Sequence, residues 1–408
     1  MSGSAVAQVI GVLASPFLSR IYSPEDFGVL GAVMSIVGVT SVATTLQYEK
    51  ALVLEGDNSN ANALQKLCWT LLWITTAVMA VAMLLLPISI FGTESEDARP
   101  ARALWVVLIF FLTGVFNLYS LRCNREKFYK TVAVASVSRR LSLVLIQLVF
   151  GLLFGHALGL LLGNVVGLIV AILVLQFSVK KSGKSEIINA SVRGVAEKYV
   201  QFPIYSLPQR LINSVSSQSP VFIFGIYFGV EVVGAFWFAF RLIQLPAAVM
   251  MQAVNSVFLR DAVDLSDKLP KLKKIYLRLT GTLVLLILMP TLAVIFWGRE
   301  MFIFVFGDQW GLAGDFSQGS MIWVAFTFIN VPAMVLFTVF GKLKFNLCFD
   351  ILLVTFRLVV LVYFSGKGEP LDAIIAFSIV SVMFDTFAIL YWWFALSKNS
   401  SLKTNTKF

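Results

Sequence analysis

Arginine inside an apolar stretch is the residue type that carries chemistry in this chain. Arg241 sits in the middle of Phe236–Pro246, FWFAFRLIQLP, a run with no acidic residue. A charge at the centre of a membrane helix costs about 2.5–3.5 kcal/mol on insertion scales, so it is kept where it meets a cavity or a partner. The other basic residues that fall inside apolar spans are Arg139, Arg140, Arg210 and Arg357, and none is lysine. Guanidinium is weakly hydrated and grips phosphate oxygens in bidentate fashion. Anion binding is therefore the first chemistry to expect, with Arg241 and Arg210 as its leading candidates.

Polar partners recur at helical spacing. Gln244, Gln252 and Asn255 share one helix face with Arg241. Gln209, Asn213, Ser214, Ser217 and Gln218 share part of the helix that carries Arg210. Sugar hydroxyls need such donors and acceptors, but so do hydrogen bonds between membrane helices. The sequence leaves both readings open for Asn213, Gln218, Gln244, Gln252 and Asn255. Arg139 and Arg140 lie within three turns of a helix end, where snorkelling to the interface explains at least one of them; Arg140 stays a candidate substrate ligand. Arg357 has a structural explanation. Asp350 precedes it by two turns and Asp385 lies in the middle of the next span, so an Arg357–Asp385 pair would neutralise both charges. An ion-coupling role for Asp385 is the alternative.

Other chemistry is not encoded. Cys68, Cys123 and Cys348 are far apart and form neither a CxxC pair nor a disulfide framework. His156 is the only histidine and falls at a short turn. No Ser-His-Asp set, glycine-rich phosphate loop or paired carboxylate motif occurs. The expectation is no catalysis, no metal and no cofactor.

The elements that would hold these residues are membrane helices. The chain has 408 residues, is 58% hydrophobic and only 13% charged, with mean hydropathy +0.86. A soluble domain cannot hide that much apolar surface. Twelve spans are predicted, near Ser2–Arg20, Phe27–Gln47, Leu67–Phe91, Ala103–Leu121, Thr131–Phe154 and Ala157–Val179, then Phe202–Phe228, Glu231–Leu259, Leu272–Trp297, Phe316–Gly341, Phe345–Phe364 and Leu371–Leu396. The expected fold is an all-α integral membrane protein of two six-helix lobes, 1–179 and 202–396, joined by a cytoplasmic linker at 180–201 and ending in a tail at 397–408. Ser2–Ile21 has no basic n-region and no clear cleavage site, so it reads as the first span, not a signal peptide. Its abrupt apolar start is consistent with a few residues missing upstream.

Of the 32 lysines and arginines, twenty-two fall in loops on one side and five on the other. The positive-inside rule then places both termini in the cytoplasm. The net charge of +10 belongs to those loops and is weak evidence for nucleic acid. Pro208, Pro246, Pro290 and Pro332 are expected to kink their helices.

The halves echo one another. Ser15-Pro16, Ile21-Tyr22 and Glu25-Asp26-Phe27-Gly28 find counterparts in Ser219-Pro220, Ile226-Tyr227 and Glu231-Val232-Val233-Gly234. With six spans per half, this implies a parallel repeat about an axis along the membrane normal, with the transport path in the cleft between the lobes.

Four stretches carry a family resemblance over nearly the whole chain. They are Ser19-Arg20-Ile21-Tyr22-Ser23-Pro24-Glu25-Asp26-Phe27-Gly28, Tyr48-Glu49-Lys50-Ala51, Phe202-Pro203-Ile204-Tyr205-Ser206 and Arg241-Leu242-Ile243-Gln244-Leu245-Pro246. The chain resembles the polysaccharide-biosynthesis flippases, the O-antigen and lipid-linked oligosaccharide translocases of the multidrug/oligosaccharidyl-lipid/polysaccharide exporter superfamily. The resemblance implies a V-shaped two-lobe transporter in a bacterial inner membrane. Its cargo would be an undecaprenyl-pyrophosphate-linked sugar unit, moved from the cytoplasmic to the periplasmic leaflet. Arg241 matches a cavity arginine of related flippases for the peptidoglycan lipid precursor. Where that branch carries further cavity arginines, this chain has Ser15-Pro16 and Gln47-Tyr48, which favours an exported polysaccharide unit. Membrane lipids, a polysaccharide polymerase and glycosyltransferases are the expected partners, with the coupling ion, Na⁺ or H⁺, left open. The competing readings are a cation or drug exporter of the same superfamily, and an integral-membrane polysaccharide polymerase or ligase.

Overall fold

The protein is described from a computed structural model covering residues 2–85, 99–154, 156–181 and 190–397. Its helices run in order α1 (Ser2–Ile21), α2 (Pro24–Thr40), α3 (Ala51–Leu54), α4 (Asn58–Leu85), α5 (Arg99–Arg125), α6 (Tyr129–Phe154) and α7 (Ala157–Lys181). They continue with α8 (Val192–Lys198), α9 (Leu207–Tyr227), α10 (Val230–Asp264), α11 (Leu269–Phe306), α12 (Gly311–Val339), α13 (Leu343–Ser365) and α14 (Pro370–Ser397). No strand occurs among the described residues. Each of the twelve predicted spans overlaps a helix, and residues 86–91 of the third lie outside the described residues. Ten of these twelve helices are long and apolar enough to cross a membrane. The other two are α1, whose apolar part is Ala5–Ile21, and α9, whose hydropathy is diluted by Gln209, Arg210, Asn213 and Gln218. The chain is thus an all-α, multi-pass membrane protein.

The chain separates into two compact units, Met1–Gly234 and Ala235–Phe408. The division falls inside α10, not in the stretch 180–201 expected to be a linker. Residues 182–189 lie outside the described residues, as do 398–408 of the predicted tail. The segment after residue 189 is anchored: Ser191 caps α8 by accepting from the Gly194 N–H, and Val195 is buried in a cluster with Tyr48, Leu52 and Leu64. Helix α9 groups with the first unit because its serine and glutamine side chains bond to α2. Ser214 Oγ donates to the Gly38 carbonyl at 3.0 Å and Ser35 Oγ donates to Gln218 Oε1 at 2.9 Å.

Helix α2 starts as its sequence dictates. Ser23 caps it, Asp26 returns the bond to the Ser23 N–H at 3.0 Å, and Pro24 occupies the first turn, which completes a capping box. Its end differs from expectation. The predicted span to Gln47 breaks at Thr40, followed by a 3₁₀ turn at Ser41–Ala43 and by Leu46 and Gln47 at φ 51° and 66°. The cause is a run of short hydroxyl side chains that compete for backbone carbonyls. Thr40 Oγ1 donates to Ile36 O, Thr44 Oγ1 to Ser41 O, and Gln47 Nε2 to Val42 O at 2.5 Å.

In the second unit α12 is the central helix, with Phe316, Phe328 and Phe337 fully buried. Against it pack α11 and α14, whose Leu272, Tyr276 and Trp392 close the core. The prolines act differently from expectation. In α11 the non-helical residue is Trp297 (φ −126°, ψ 15°), not Pro290. Pro208 lies in the first turn of α9, directly after a π-turn at Phe202–Ser206, so it starts a helix instead of kinking one.

Candidate functional site

In the second unit, Arg241 and its predicted companions lie on α10. The Arg241 guanidinium lies over the Trp237 ring, 4.7 Å from its centroid and one turn away, a cation–π contact that fixes its direction. Gln244, Gln252 and Asn255 are all exposed. None makes a side-chain hydrogen bond to a described residue. Bonding between helices would have buried and paired these amides, and the structure does neither. In hydrocarbon an amide without a partner is costly. A face carrying three of them beside an arginine needs water or a polar ligand against it.

The same unit holds a second polar cluster. Arg357 and Asp385 are both buried, on α13 and α14. Arg357 Nε donates to Ser381 Oγ at 2.9 Å, and Ser381 sits one turn before Asp385. The guanidinium also lies over the Trp323 and Phe377 rings at 5.2 and 4.8 Å. Asp385 accepts from Asn330 Nδ2 at 2.6 Å and from Thr327 Oγ1 at 3.2 Å. Hydrogen bonds engage both side chains. These contacts link α12, α13 and α14.

In the first unit the polar residues of α9 divide. Gln218 and Ser214 are taken up by α2, so Gln218 belongs to a helix seam and not to a free surface. Arg210 and Asn213 are exposed. Arg210 also has a neighbour that spacing did not single out. Burial lowers the Lys50 pKa from its ordinary value, the Arg210 charge lowers it further, and Glu49 opposes the shift. Two cations therefore share one end of this unit. The only sequence signal for Lys50 was its place in the Tyr48-Glu49-Lys50-Ala51 stretch.

Arg140 and Arg139 lie on α6. Arg140 packs on α1 where Gly11 leaves room; a Cβ there would stand 3.2 Å from Arg140 Cζ. Arg139 faces the other way, over the Phe116 ring of α5 at 5.0 Å. Arg140 is thus the one of the two that packing at Gly11 brings against α1, whose Gln8 Oε1 is buried without a partner among the described residues. His156 and the three free cysteines form no metal cluster among the described residues.

Many helices long and apolar enough to cross a membrane, arranged in two compact units, define a multi-pass, all-α membrane fold. The chain belongs to the polysaccharide biosynthesis protein family, which it matches over residues 17–315. No curated protein matches it. It is similar to an inward-facing multidrug resistance MATE family transporter of the MOP superfamily, at 15% identity and TM-score 0.78, covering 98% of this chain and 96% of that one. It is similar to lipid II flippase MurJ in an inward closed conformation, at 12% identity and TM-score 0.77, covering 97% and 89%. A third similar structure is a MOP superfamily transporter from Pyrococcus furiosus described as having a binding pocket of reverse polarity, at 14% identity and TM-score 0.64, covering 98% and 94%. At these identities the likeness is one of fold.

Proposed function

We propose that this protein is a flippase for an undecaprenyl-pyrophosphate-linked oligosaccharide, a repeat unit of O-antigen, capsule or exopolysaccharide. It moves the unit from the cytoplasmic to the periplasmic leaflet of a bacterial inner membrane, without catalysis. The observation that carries this reading is the α10 face, where exposed and unpartnered Gln244, Gln252 and Asn255 lie beside Arg241. The amides suit sugar hydroxyls and the guanidinium suits pyrophosphate. Arg210, Lys50 and Arg140 supply further positive charge in the first unit, and Asn213 a further amide. Alternating access would carry the head group across while the lipid tail stays in the bilayer. The excess of basic loops supports cytoplasmic termini. Glycosyltransferases that build the unit and a polymerase that consumes it are the partners this role implies.

The test is a deletion strain complemented with Arg241→Ala. Lipid-linked units should accumulate on the cytoplasmic side, and purified protein in vesicles should move the labelled lipid at least ~10-fold more slowly, the scale of one lost charge-assisted contact. Unimpaired export with Arg241→Ala, together with reconstituted protein that moves no lipid-linked glycan, rejects the proposal. A cation exporter would rest on Asp385, but that carboxylate already accepts two hydrogen bonds and sits beside Arg357. Overexpression should therefore leave resistance to cationic dyes unchanged.

A further inference from the structure

We infer that the first unit carries a separate site for a lipid head group, one that presents phosphate and hydroxyls together. The site is a cavity of about 670 Å³ between α3, the start of α4 and the end of α5, at the end of the bundle that carries the basic loops. It shares no residue with the α10 face or with Arg210, Lys50 and Arg140, and it stands whatever the transported cargo is.

Arg125 is positioned but not neutralised. Arg125 donates from Nε to the Glu55 carbonyl at 3.2 Å and from Nη2 to Asn58 Oδ1 at 2.8 Å. Both acceptors are uncharged, so the guanidinium is aimed without losing its charge. The Glu55 carboxylate is not available to it, because Lys198 Nζ at 2.6 Å and Tyr199 Oη at 2.9 Å already donate to Oε2. Arg122 reaches Gln65 Oε1 at 2.6 Å and Glu126 Oε1 at 3.4 Å. The second oxygen of that carboxylate, Glu126 Oε2, is buried and has no donor among the described residues. A ligand hydroxyl would satisfy it.

Lys127 adds a conformational observation. It follows α5 at φ 62°, in the left-handed region, while its N–H bonds Asn124 O at 3.1 Å and the Phe128 N–H bonds Cys123 O at 2.8 Å. This is a helix-ending motif that glycine ordinarily fills. Lys127 thus takes a strained backbone conformation while lining the cavity. Beside the cavity, Val53, Leu54 and Tyr129 are 48%, 68% and 63% exposed. Apolar residues next to a cationic cavity suit a ligand offered from a bilayer surface. Guanidinium and ammonium groups fit its phosphate, and Glu126 with the neighbouring amides fits its hydroxyls. A glycerol-phosphate head group has both features.

The full chain in an uncharged detergent provides the test, with thermal unfolding followed as lipid is added. Phosphatidylglycerol should raise the melting temperature and phosphatidylcholine should not. Arg125→Gln should weaken the apparent phosphatidylglycerol affinity about tenfold and Lys127→Gly about fivefold, the scale of charge-assisted contacts near a surface. Lys127→Gly relieves the backbone, so its lipid-free melting temperature should not fall and lost binding cannot be read as lost folding. Equal shifts with phosphatidylcholine, or an unchanged response in both variants, would overturn the site. Free glycerol 3-phosphate that reproduces the whole shift at the same concentration would overturn the assignment to a lipid.

Discussion

The α1–α2 corner and the α9–α10 corner are built on the same plan, and where they differ shows which parts of the plan are structural. In both, a serine precedes a proline inside the first helix. Ser15 Oγ donates to Val12 O at 2.6 Å and Ser219 Oγ to Ser216 O at 2.9 Å. Those are the carbonyls that Pro16 and Pro220 leave without an N–H, so each serine replaces the bond its neighbour removes. The second shared device is reciprocal. A Cβ on Gly28 would overlap the Val230 carbonyl, and a Cβ on Gly234 would overlap the Pro24 carbonyl. Each glycine lets its helix lie on the first turn of the other, which is a two-fold contact between equivalent positions. The differences lie in the turns. Tyr22 is 1% exposed and donates to the Gln147 carbonyl at 2.6 Å, whereas its counterpart Tyr227 is 45% exposed. Helix α2 begins with a capping box and α10 after Gly229 at φ 85°. The packing is thus shared, and the means of turning the chain is particular to each half.

The largest expected effect comes from breaking the shared contact. Gly28→Ala or Gly234→Ala must push two backbones apart and should cost about 3 kcal/mol each, the top of the usual range for overpacking because the obstacle is a carbonyl. In the double variant the combined loss should be clearly less than the sum of the two, since both disrupt one interface. Thermal unfolding in detergent measures this. Full additivity would mean that the two glycines serve separate contacts.

Tyrosine should separate the corners. Tyr22→Phe removes a buried hydrogen bond and should cost about 1 kcal/mol, while Tyr227→Phe should cost nothing measurable. The serines should unite them. Ser15→Ala and Ser219→Ala should each cost about 0.6 kcal/mol, the scale of side-chain hydrogen bonds between membrane helices. Unequal losses would show that only one proline needs its serine.

These corners also mark how far the sequence could be read. The twelve spans were legible because apolar runs of that length have one structural meaning. The echo was legible as letters, but that its glycines meet was not, since spacing along one chain says nothing about which turns approach. The Arg241 face with Gln244, Gln252 and Asn255 was legible from helical periodicity. Whether those amides were paired depended on neighbours that no periodicity names, which is why Gln218, of the same type, fell into a helix seam. The break of α2 at Thr40 was hidden because each hydroxyl in Thr40–Thr45 tolerates a membrane helix; their combined competition for carbonyls breaks it. Lys50 gained its place beside Arg210 only when α9 folded back onto α2.

The smallest effect sharpens the contrast at the other end of the bundle, where among the described residues Glu55 ties α8 down. Burial raises its carboxyl pKa, but hydrogen bonds from Lys198, Tyr199 and the Asp57 N–H outweigh that and hold it below the ordinary glutamate value. A lowered folded-state pKa means that the unfolded chain binds the proton more readily. The stabilising contribution is therefore complete above the ordinary value of about 4.3 and fades as pH falls through the folded one. Lys198 is half exposed, so solvent screening keeps the contribution small. Amide exchange across Val192–Lys198 should accelerate as the pH drops below about 4.3, relative to the buried core of α12. In Glu55→Gln that acceleration should vanish, with exchange already fast at neutral pH. If the variant keeps the wild-type pH profile, α8 is held instead by Val195 and by the Tyr48 hydroxyl, which donates to the Ala196 carbonyl at 3.2 Å, and the carboxylate is incidental.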